Sequence, residues 1–175
     1  GIEHLLEGLE VRYLANRDPC LHFALVTDFV DAAAETLAGD AELVRLACEG
    51  VERLNEKYAN VRPDIFYLFH RARRWNAQEG VWMGYERKRG KLHELNRLLR
   101  GATDTSFVPT GGRAPPVPSG VRYVITLDAD TRLPRGSAAR LVGTIAHPLN
   151  RPRFDPHVGR VVEGYGLLQP RVTPT

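Results

Sequence analysis

The sequence predicts an α/β fold in which apolar strands alternate with amphipathic helices and form a mostly parallel sheet. Two observations favour this class. Short apolar runs such as 22–27 and 121–127 are followed at once by aspartates, and leucine-rich segments with helical spacing lie between such runs. With 175 residues, of which 43% are hydrophobic, the chain has the length and composition of one globular domain with a buried core.

In the first hundred residues, apolar side chains recur at helical spacing in three segments, 3–15, 41–59 and 91–100. Asp40 is expected to be the N-cap of the second helix, and Gly90 and Gly101 are expected to bracket the third. The apolar runs 22–27 and 65–70 predict strands between these helices.

The second half of the chain begins with a loop over 108–120, which contains four prolines and three glycines. A strand over 121–127 is expected next, because this run is apolar and rich in β-branched residues. Pro134 suits the first turn of a helix over 134–146. Two further strands are predicted at 160–162 and 167–172.

Asp128 and Asp130 are the first candidate site. Alternate residues of an extended segment point to the same side, so the two carboxylates are expected to face one hard cation such as Mg²⁺ or Mn²⁺. Carboxyl ends of strands are also where open α/β sheets bind ligands. The alternative is an ordinary turn, because aspartate favours turns wherever a strand ends.

Asp28 ends an earlier predicted strand and is expected at the same edge of the sheet. Its carboxylate could accept hydrogen bonds from a base or a ribose, or it could cap a turn. Downstream, residues 71–100 contain nine Lys or Arg and three Glu, whereas the whole chain has a net charge of +3. Such a confined positive region favours an anionic ligand over a general nucleic-acid surface.

Within this basic region, Lys91 follows Gly90 at the expected start of a helix, where an ammonium and backbone N–H groups could bind one anion. Arg87 and Lys88 are neighbouring cations, and Asn96 could cap the helix or contact substrate. The alternative is a solvated, charged helix face. The two cysteines, Cys20 and Cys48, predict neither a disulfide framework nor a zinc site.

Four segments together resemble the glycosyltransferase region of bacterial cyclic β-1,2-glucan synthases. The four segments are 21–29, 81–96, 123–131 and 161–171, and the most specific stretch is Trp82-Met-Gly-Tyr-Glu-Arg-Lys-Arg-Gly-Lys91. The resemblance implies a GT-A-like nucleotide-binding sheet with flanking helices, UDP-glucose as donor, Mg²⁺ or Mn²⁺ as cofactor, and inverting transfer to a growing β-1,2-glucan acceptor.

The resemblance also assigns roles to single residues. Asp28 matches the uridine-contacting aspartate, Lys91 and Asn96 match an element beside the donor, and Asp128 with Asp130 matches the metal and diphosphate motif, Asp130 being the direct ligand. The family's general base is expected beyond Thr175, so no catalytic residue is assigned. In Gln169-Pro-Arg171 we expect part of a strand.

Residues 1–175 are therefore expected to form a partial, truncated glycosyltransferase domain that lacks the first strand and the C-terminal half of the fold. The implied parent is a large protein of the bacterial inner membrane with this domain on the cytosolic side. No apolar run here approaches the ~20 residues needed to span a bilayer. The isolated segment is expected to be inactive and to self-associate through unpaired strand edges.

Two other functions compete with donor binding. One is a non-catalytic module that binds a nucleotide sugar or a carbohydrate. The other is a nucleic-acid binder that uses the basic region, which should show a steep loss of affinity with salt. We expect no nucleic-acid partner, because few aromatic residues interleave the cations.

Overall fold

The computed structural model describes residues 1–110 and 112–170, which fall into two compact units. The first unit comprises Gly1–Tyr13 and Asp18–Arg122, and the second comprises Leu14–Arg17 and the chain from Tyr123 onward. Both contain helices and small sheets, so the chain is mixed α and β. Of the three two-stranded sheets among the described residues, one is parallel and two are antiparallel, so the predicted mostly parallel sheet is not found there.

The helices among the described residues are α1 (Ile2–Ala15), α2 (Asp40–Lys57), α3 (Arg87–Leu99), α4 (Ser137–Ala146) and a short 3₁₀ turn (Pro148–Asn150). The strands are β1 (Phe23–Asp28), β2 (Phe66–Arg71), β3 (Arg74–Asn76), β4 (Val81–Met83), β5 (Arg153–Asp155) and β6 (Arg160–Glu163). All four predicted helices and the strands near 22–27, 65–70 and 160–162 are confirmed. The short strands β3, β4 and β5 were not predicted, because three residues carry too little periodicity to detect.

A parallel ladder of β1 and β2 organises the first unit, with Phe23 opposite Phe66 and Asp28 opposite Arg71. All six residues of β2 are buried. Alternate residues of β2 enter two apolar clusters, as the pleat of a strand requires. Phe66 and Leu68 pack in the cluster that contains residues of α1 and α2, whereas Tyr67 and Phe69 pack in the cluster that contains α3.

The predicted strand over 121–127 is wrong: the structure places no strand there, although the segment has a strand's composition. Tyr123 and Val124 are each more than two-fifths exposed, at 43% and 44%. A strand forms only when its backbone pairs with a neighbour, and no described residue pairs with this segment. Residues 167–170 likewise form no strand, and 171–172 lie outside the described residues.

Three predicted helix starts also need correction. Gly39, with φ 96°, is the N-cap of α2, and the Asp40 carboxylate turns back to accept the Leu37 N–H (2.8 Å). Helix α3 begins at Arg87, so Gly90 lies inside it. Helix α4 begins at Ser137, after a turn in which the Ser137 N–H donates to the Pro134 carbonyl (3.0 Å).

The described part of the Pro/Gly-rich segment 108–120 forms no helix or strand, as predicted. A short bridge joins Thr110 to Arg113. At the start of this segment, the Val108 N–H donates to the His70 carbonyl (2.8 Å). This bond holds the loop along the edge of β2 that does not pair with β1.

Candidate functional site

The carboxyl ends of β1 and β2 carry an ion pair between Asp28 and Arg71. The two residues are opposite in the ladder register, and the Arg71 Nε donates to Asp28 Oδ1 (2.6 Å). The Arg71 side chain is 1% exposed and that of Asp28 is 17% exposed. Alternation places Asp28 on the same face of β1 as Val26, which packs in the α3 cluster, so the pair lies on the side of the ladder that contacts α3.

Two side chains of α3 complete this group, which we call the β1–β2 rim: Asp28, Arg71, Lys91 and Glu94. Lys91 Nζ lies 3.0 Å from Asp28 Oδ2, and Glu94 Oε2 lies 3.6 Å from Arg71 Nη1. Residues three apart share a helix face, which explains why Lys91 and Glu94 reach the same pair. The rim thus holds two carboxylates and two cations, and all of them except Arg71 keep some exposure.

A tight turn between β4 and α3 closes one side of the rim. Glu86 (φ 54°) and Arg87 (φ 47°) adopt left-handed backbone conformations, which are costly for residues with a Cβ. Gly84 is needed beneath the rim, because a Cβ there would lie 2.7 Å from the Asp28 carboxyl carbon. A Cβ on Gly90 would overlap the Tyr85 carbonyl oxygen.

The opposite face of the same ladder carries Thr27 and His70. The Thr27 hydroxyl is 2.7 Å from His70 Nδ1, and His70 is 2% exposed. Burial lowers the pKa of His70 to about 4, so the ring is neutral at pH 7. Its Nε2 atom is buried and has no hydrogen-bond partner within the described chain.

A second buried arginine, Arg73, holds the loop that follows β1. Its guanidinium donates to the Val30 carbonyl (2.7 Å), to the Glu35 carbonyl (3.1 Å) and to both carboxylate oxygens of Asp40 (2.5 and 3.2 Å). It also lies 4.6 Å from the centre of the Phe29 ring. Hydrogen bonds from Arg73 hold the pKa of Asp40 below its ordinary value.

A search for matching family models found none. The chain is 49% identical, over 174 residues and 99% of its length, to cyclic β-(1,2)-glucan synthase NdvB of Rhizobium meliloti (strain 1021). This chain is similar to a segment of a cyclic β-1,2-glucan synthase. The resemblance seen in the sequence is therefore confirmed, and the chain spans 6% of the length of that synthase.

The stretch 82–91, on which the sequence resemblance depends most, contains the turn and helix start described above. Arg87 is exposed and pairs with Asp31 (2.8 Å) and Glu79 (2.9 Å) instead of lying open toward an anion. Lys88 is also exposed. Asn96 is exposed and follows Lys91 by five residues, which places it about 140° around the helix from Lys91. The structure thus brings Lys91 to Asp28 but leaves Asn96 on another face of α3.

The basic region 71–100 is less positive than its sequence suggests. At least seven of its cations lie within 4.0 Å of a carboxylate, and the two buried arginines, Arg71 and Arg73, are among them. The other five are Arg74, Arg87, Arg89, Lys91 and Arg97. Most of the charge expected to attract an anion is therefore already compensated within the first unit.

Asp128 and Asp130, which the resemblance matches to the metal motif of the synthases, lie in a turn of the second unit. The Thr131 N–H donates to the Asp128 carbonyl (3.0 Å), and both aspartates are exposed. The expectation that an extended strand aligns the two carboxylates is wrong, because the backbone reverses at this point. Among residues 1–110 and 112–170, no three His, Cys, Asp or Glu side chains cluster as a metal site.

Sequence patterns alone do not identify two of the residues that build the rim around Asp28. Arg71 and Glu94 count in the sequence only as charges of the basic region. One signal was available: arginine and histidine at the end of an otherwise apolar run are costly to bury, so they require partners. No described helix is long and apolar enough to cross a lipid bilayer.

Proposed function

We propose that this chain is the donor-binding part of a glucosyltransferase that transfers glucose from UDP-glucose to a growing β-1,2-glucan with inversion. The parent protein is an enzyme of the bacterial inner membrane, and this segment lies on its cytosolic side with a GT-A-like sheet at its centre. The similarity to a cyclic β-(1,2)-glucan synthase over 99% of the chain supports the reaction class.

The observation that carries the proposal is the Asp28–Lys91 pair at the carboxyl ends of two parallel strands. Ligands of open α/β sheets bind at this edge. Asp28 presents a carboxylate that can accept hydrogen bonds from the base or ribose of a nucleotide, and Lys91 presents an ammonium for its anionic part. Buried Arg71 holds the Asp28 carboxylate, and Glu94 faces the same guanidinium at 3.6 Å, so this carboxylate is positioned before a ligand arrives.

For the metal, we propose Asp130 as a direct ligand with Asp128 beside it. Mg²⁺ commonly uses one or two carboxylates and completes its shell with water and substrate phosphates, so two exposed aspartates suit it without a third protein ligand. When bound, Mg²⁺ or Mn²⁺ would neutralise charge on the departing UDP. Asp128 and Asp130 would supply only oxygen ligands, which both ions accept.

Lys91, with Arg87 and Lys88 nearby in sequence, is proposed to stabilise negative charge on the leaving diphosphate. Donor binding must then separate Lys91 from Asp28 in part, which makes their ion pair a resting arrangement of the site. The group that deprotonates the acceptor hydroxyl is not assigned to any residue of this chain. We therefore expect no turnover of UDP-glucose to glucan by the isolated segment.

Isothermal titration calorimetry with UDP tests the proposal. We expect binding that strengthens with Mn²⁺, weakens with a chelator, and falls at least tenfold in Asp28→Ala. Asp130→Asn should abolish the Mn²⁺ effect and leave metal-free binding unchanged. Glu163→Gln is the matched control, because it removes the same charge from an exposed carboxylate that pairs only with Arg153 in the described chain. Absence of UDP binding would contradict the proposal.

One observation favours the second candidate, a carbohydrate-binding module without transfer. Trp75 and Trp82 are cross-strand partners in the β3–β4 hairpin, their ring centres are 5.9 Å apart, and Trp75 is 50% exposed. Exposed indole rings can stack on sugars. Binding of β-1,2-glucan that is lost in Trp75→Ala, is unaffected in Phe154→Ala, and occurs without any affinity for UDP would support this alternative.

A further inference from the structure

Arg71 is the best-connected side chain of the β1–β2 rim. Its Nε donates to Asp28, its Nη1 donates to the Tyr85 carbonyl (3.1 Å), and its Nη2 donates to the Arg87 carbonyl (3.0 Å). Nη1 also faces Glu94 at 3.6 Å. One guanidinium therefore joins the end of β1, the turn before α3 and the helix itself.

We propose that Arg71 is a positioning residue for the nucleotide donor: it fixes the Asp28 carboxylate and the 84–87 turn so that Asp28 and Lys91 meet the ligand in one geometry. The inference rests on the proposed donor-binding function and adds a residue to it. Arg71 cannot itself contact a ligand, because its side chain is 1% exposed and all three of its nitrogens are occupied.

The conformation of the turn explains why an arginine is needed. Among the described residues, Glu86 and Arg87 alone combine a positive φ with a side chain. Such a conformation persists only where surrounding contacts hold it. Arg71 donates to the carbonyls of Tyr85 and Arg87, the residues before and after Glu86. Within the turn, the Arg87 N–H donates to the Gly84 carbonyl (2.8 Å).

The 84–87 turn also sets the position of Lys91. Helix α3 begins at Arg87, so its direction and rotation follow from the turn, and Lys91 lies one helical turn further on. Lysine at position 71 could keep the positive charge, but a single ammonium cannot reproduce the planar fork that reaches two carbonyls and a carboxylate. Charge alone therefore does not satisfy the position.

The structure offers a matched control for a substitution at this site. Arg73 is 1% exposed in its side chain, like Arg71, and it also binds two carbonyls and one aspartate. Its partners are Val30, Glu35 and Asp40, none of which belongs to the rim. Arg71→Lys and Arg73→Lys remove the same chemistry from two equally buried places, but only the first acts on Asp28 and the turn.

The experiment compares these two variants by titration with UDP and by hydrogen exchange monitored with mass spectrometry. We expect Arg71→Lys to weaken UDP binding about tenfold or more, and Arg73→Lys to change it less than twofold, although both unfold at lower urea concentrations. Backbone amides of 84–90 should exchange faster in Arg71→Lys, whereas those of 29–40 should do so in Arg73→Lys.

If wild-type protein binds UDP and the two variants bind it equally well, the positioning role is overturned while the proposed function stands. Unchanged exchange over 84–90 in Arg71→Lys would overturn it too. If wild-type protein binds no UDP, the proposed function fails and the role of Arg71 in donor binding fails with it.

If Arg71→Lys does not fold, Gly84→Ala replaces it. The added methyl group would lie 2.7 Å from the Asp28 carboxyl carbon and would displace the carboxylate that Arg71 holds, while residue 71 remains arginine. It should weaken UDP binding to the same extent, and unchanged affinity would contradict the inference.

Discussion

The β1–β2 rim and the Asp128–Asp130 turn both carry aspartates that the sequence marks as candidate ligands, but the structure supports them in different ways. Asp28 is bound by Arg71 and Lys91 and lies over Gly84, in a layer packed between helices. Asp128 and Asp130 lie exposed in a turn that follows an unpaired segment. The ion pair with buried Arg71 fixes where a ligand would meet Asp28, whereas the exposed turn leaves the Asp128 and Asp130 carboxylates accessible to a hydrated cation.

The largest expected difference between these regions is in stability. Asp28→Ala leaves the Arg71 guanidinium buried without its closest counter-charge, which should lower the free energy of unfolding by about 3 kcal/mol. Asp130→Ala removes an exposed carboxylate and should leave the urea midpoint unchanged. Equal midpoints for the two variants would show that the rim does not depend on its ion pair.

The face of the β1–β2 ladder that carries His70 should make the fold less stable in acid. The buried His70 has a pKa of about 4, compared with an ordinary value of 6.5, because burial disfavours the charged ring. As pH falls from 6.5 to 4, the unfolded chain binds a proton that the folded chain does not, so stability declines, by about 3 kcal/mol at most.

Urea unfolding at pH 7 and pH 4.5 should therefore show a loss that is smaller in His70→Gln than in wild type. The matched control is His93→Gln, which changes an exposed histidine of α3. If His70→Gln and wild type lost the same stability over this interval, another group would be responsible.

A smaller effect is expected from paired glycine substitutions inside two helices. Gly90→Ala places a methyl group against the Tyr85 carbonyl and should destabilise the first unit by about 1–3 kcal/mol. Gly143→Ala in α4 meets no atom within 4 Å and should stabilise by about 1 kcal/mol, because alanine is the better helix former. Thermal unfolding of both variants measures the contrast, and a neutral Gly90→Ala would contradict the close approach.

The smallest expected change concerns association. β1 pairs only with β2 among the described strands, and the apolar segment 121–127 has no ladder partner, so both leave backbone groups that another chain could pair. Sedimentation velocity should show concentration-dependent self-association that Val124→Lys reduces. The control Val61→Lys alters a residue that is also exposed, at 64%, but lies away from these edges in sequence. A monomer at all concentrations would contradict this expectation.

The parts of the fold that local pattern determines could be predicted from the sequence. Helices α1 to α4 and strands β1 and β2 follow from the spacing of apolar residues, and so does the position of Asp28 at the end of a strand. The composition of 121–127 predicts a strand that does not form, because a strand requires a neighbour and no local pattern reveals whether one is present. The role of Arg71 cannot be predicted, because it depends on carbonyls of a turn with positive φ, and the sequence Tyr85-Glu-Arg87 carries no signal for such a turn.

If the β1–β2 rim binds the nucleotide as proposed, UDP must perturb the backbone around it. The amide NMR spectrum of ¹⁵N-labelled protein titrated with UDP measures this. We expect the largest shift changes to fall on residues 27–29 and 84–91 and to saturate together with a single dissociation constant. Saturable changes confined to other residues, or no change with UDP in large excess, would contradict it.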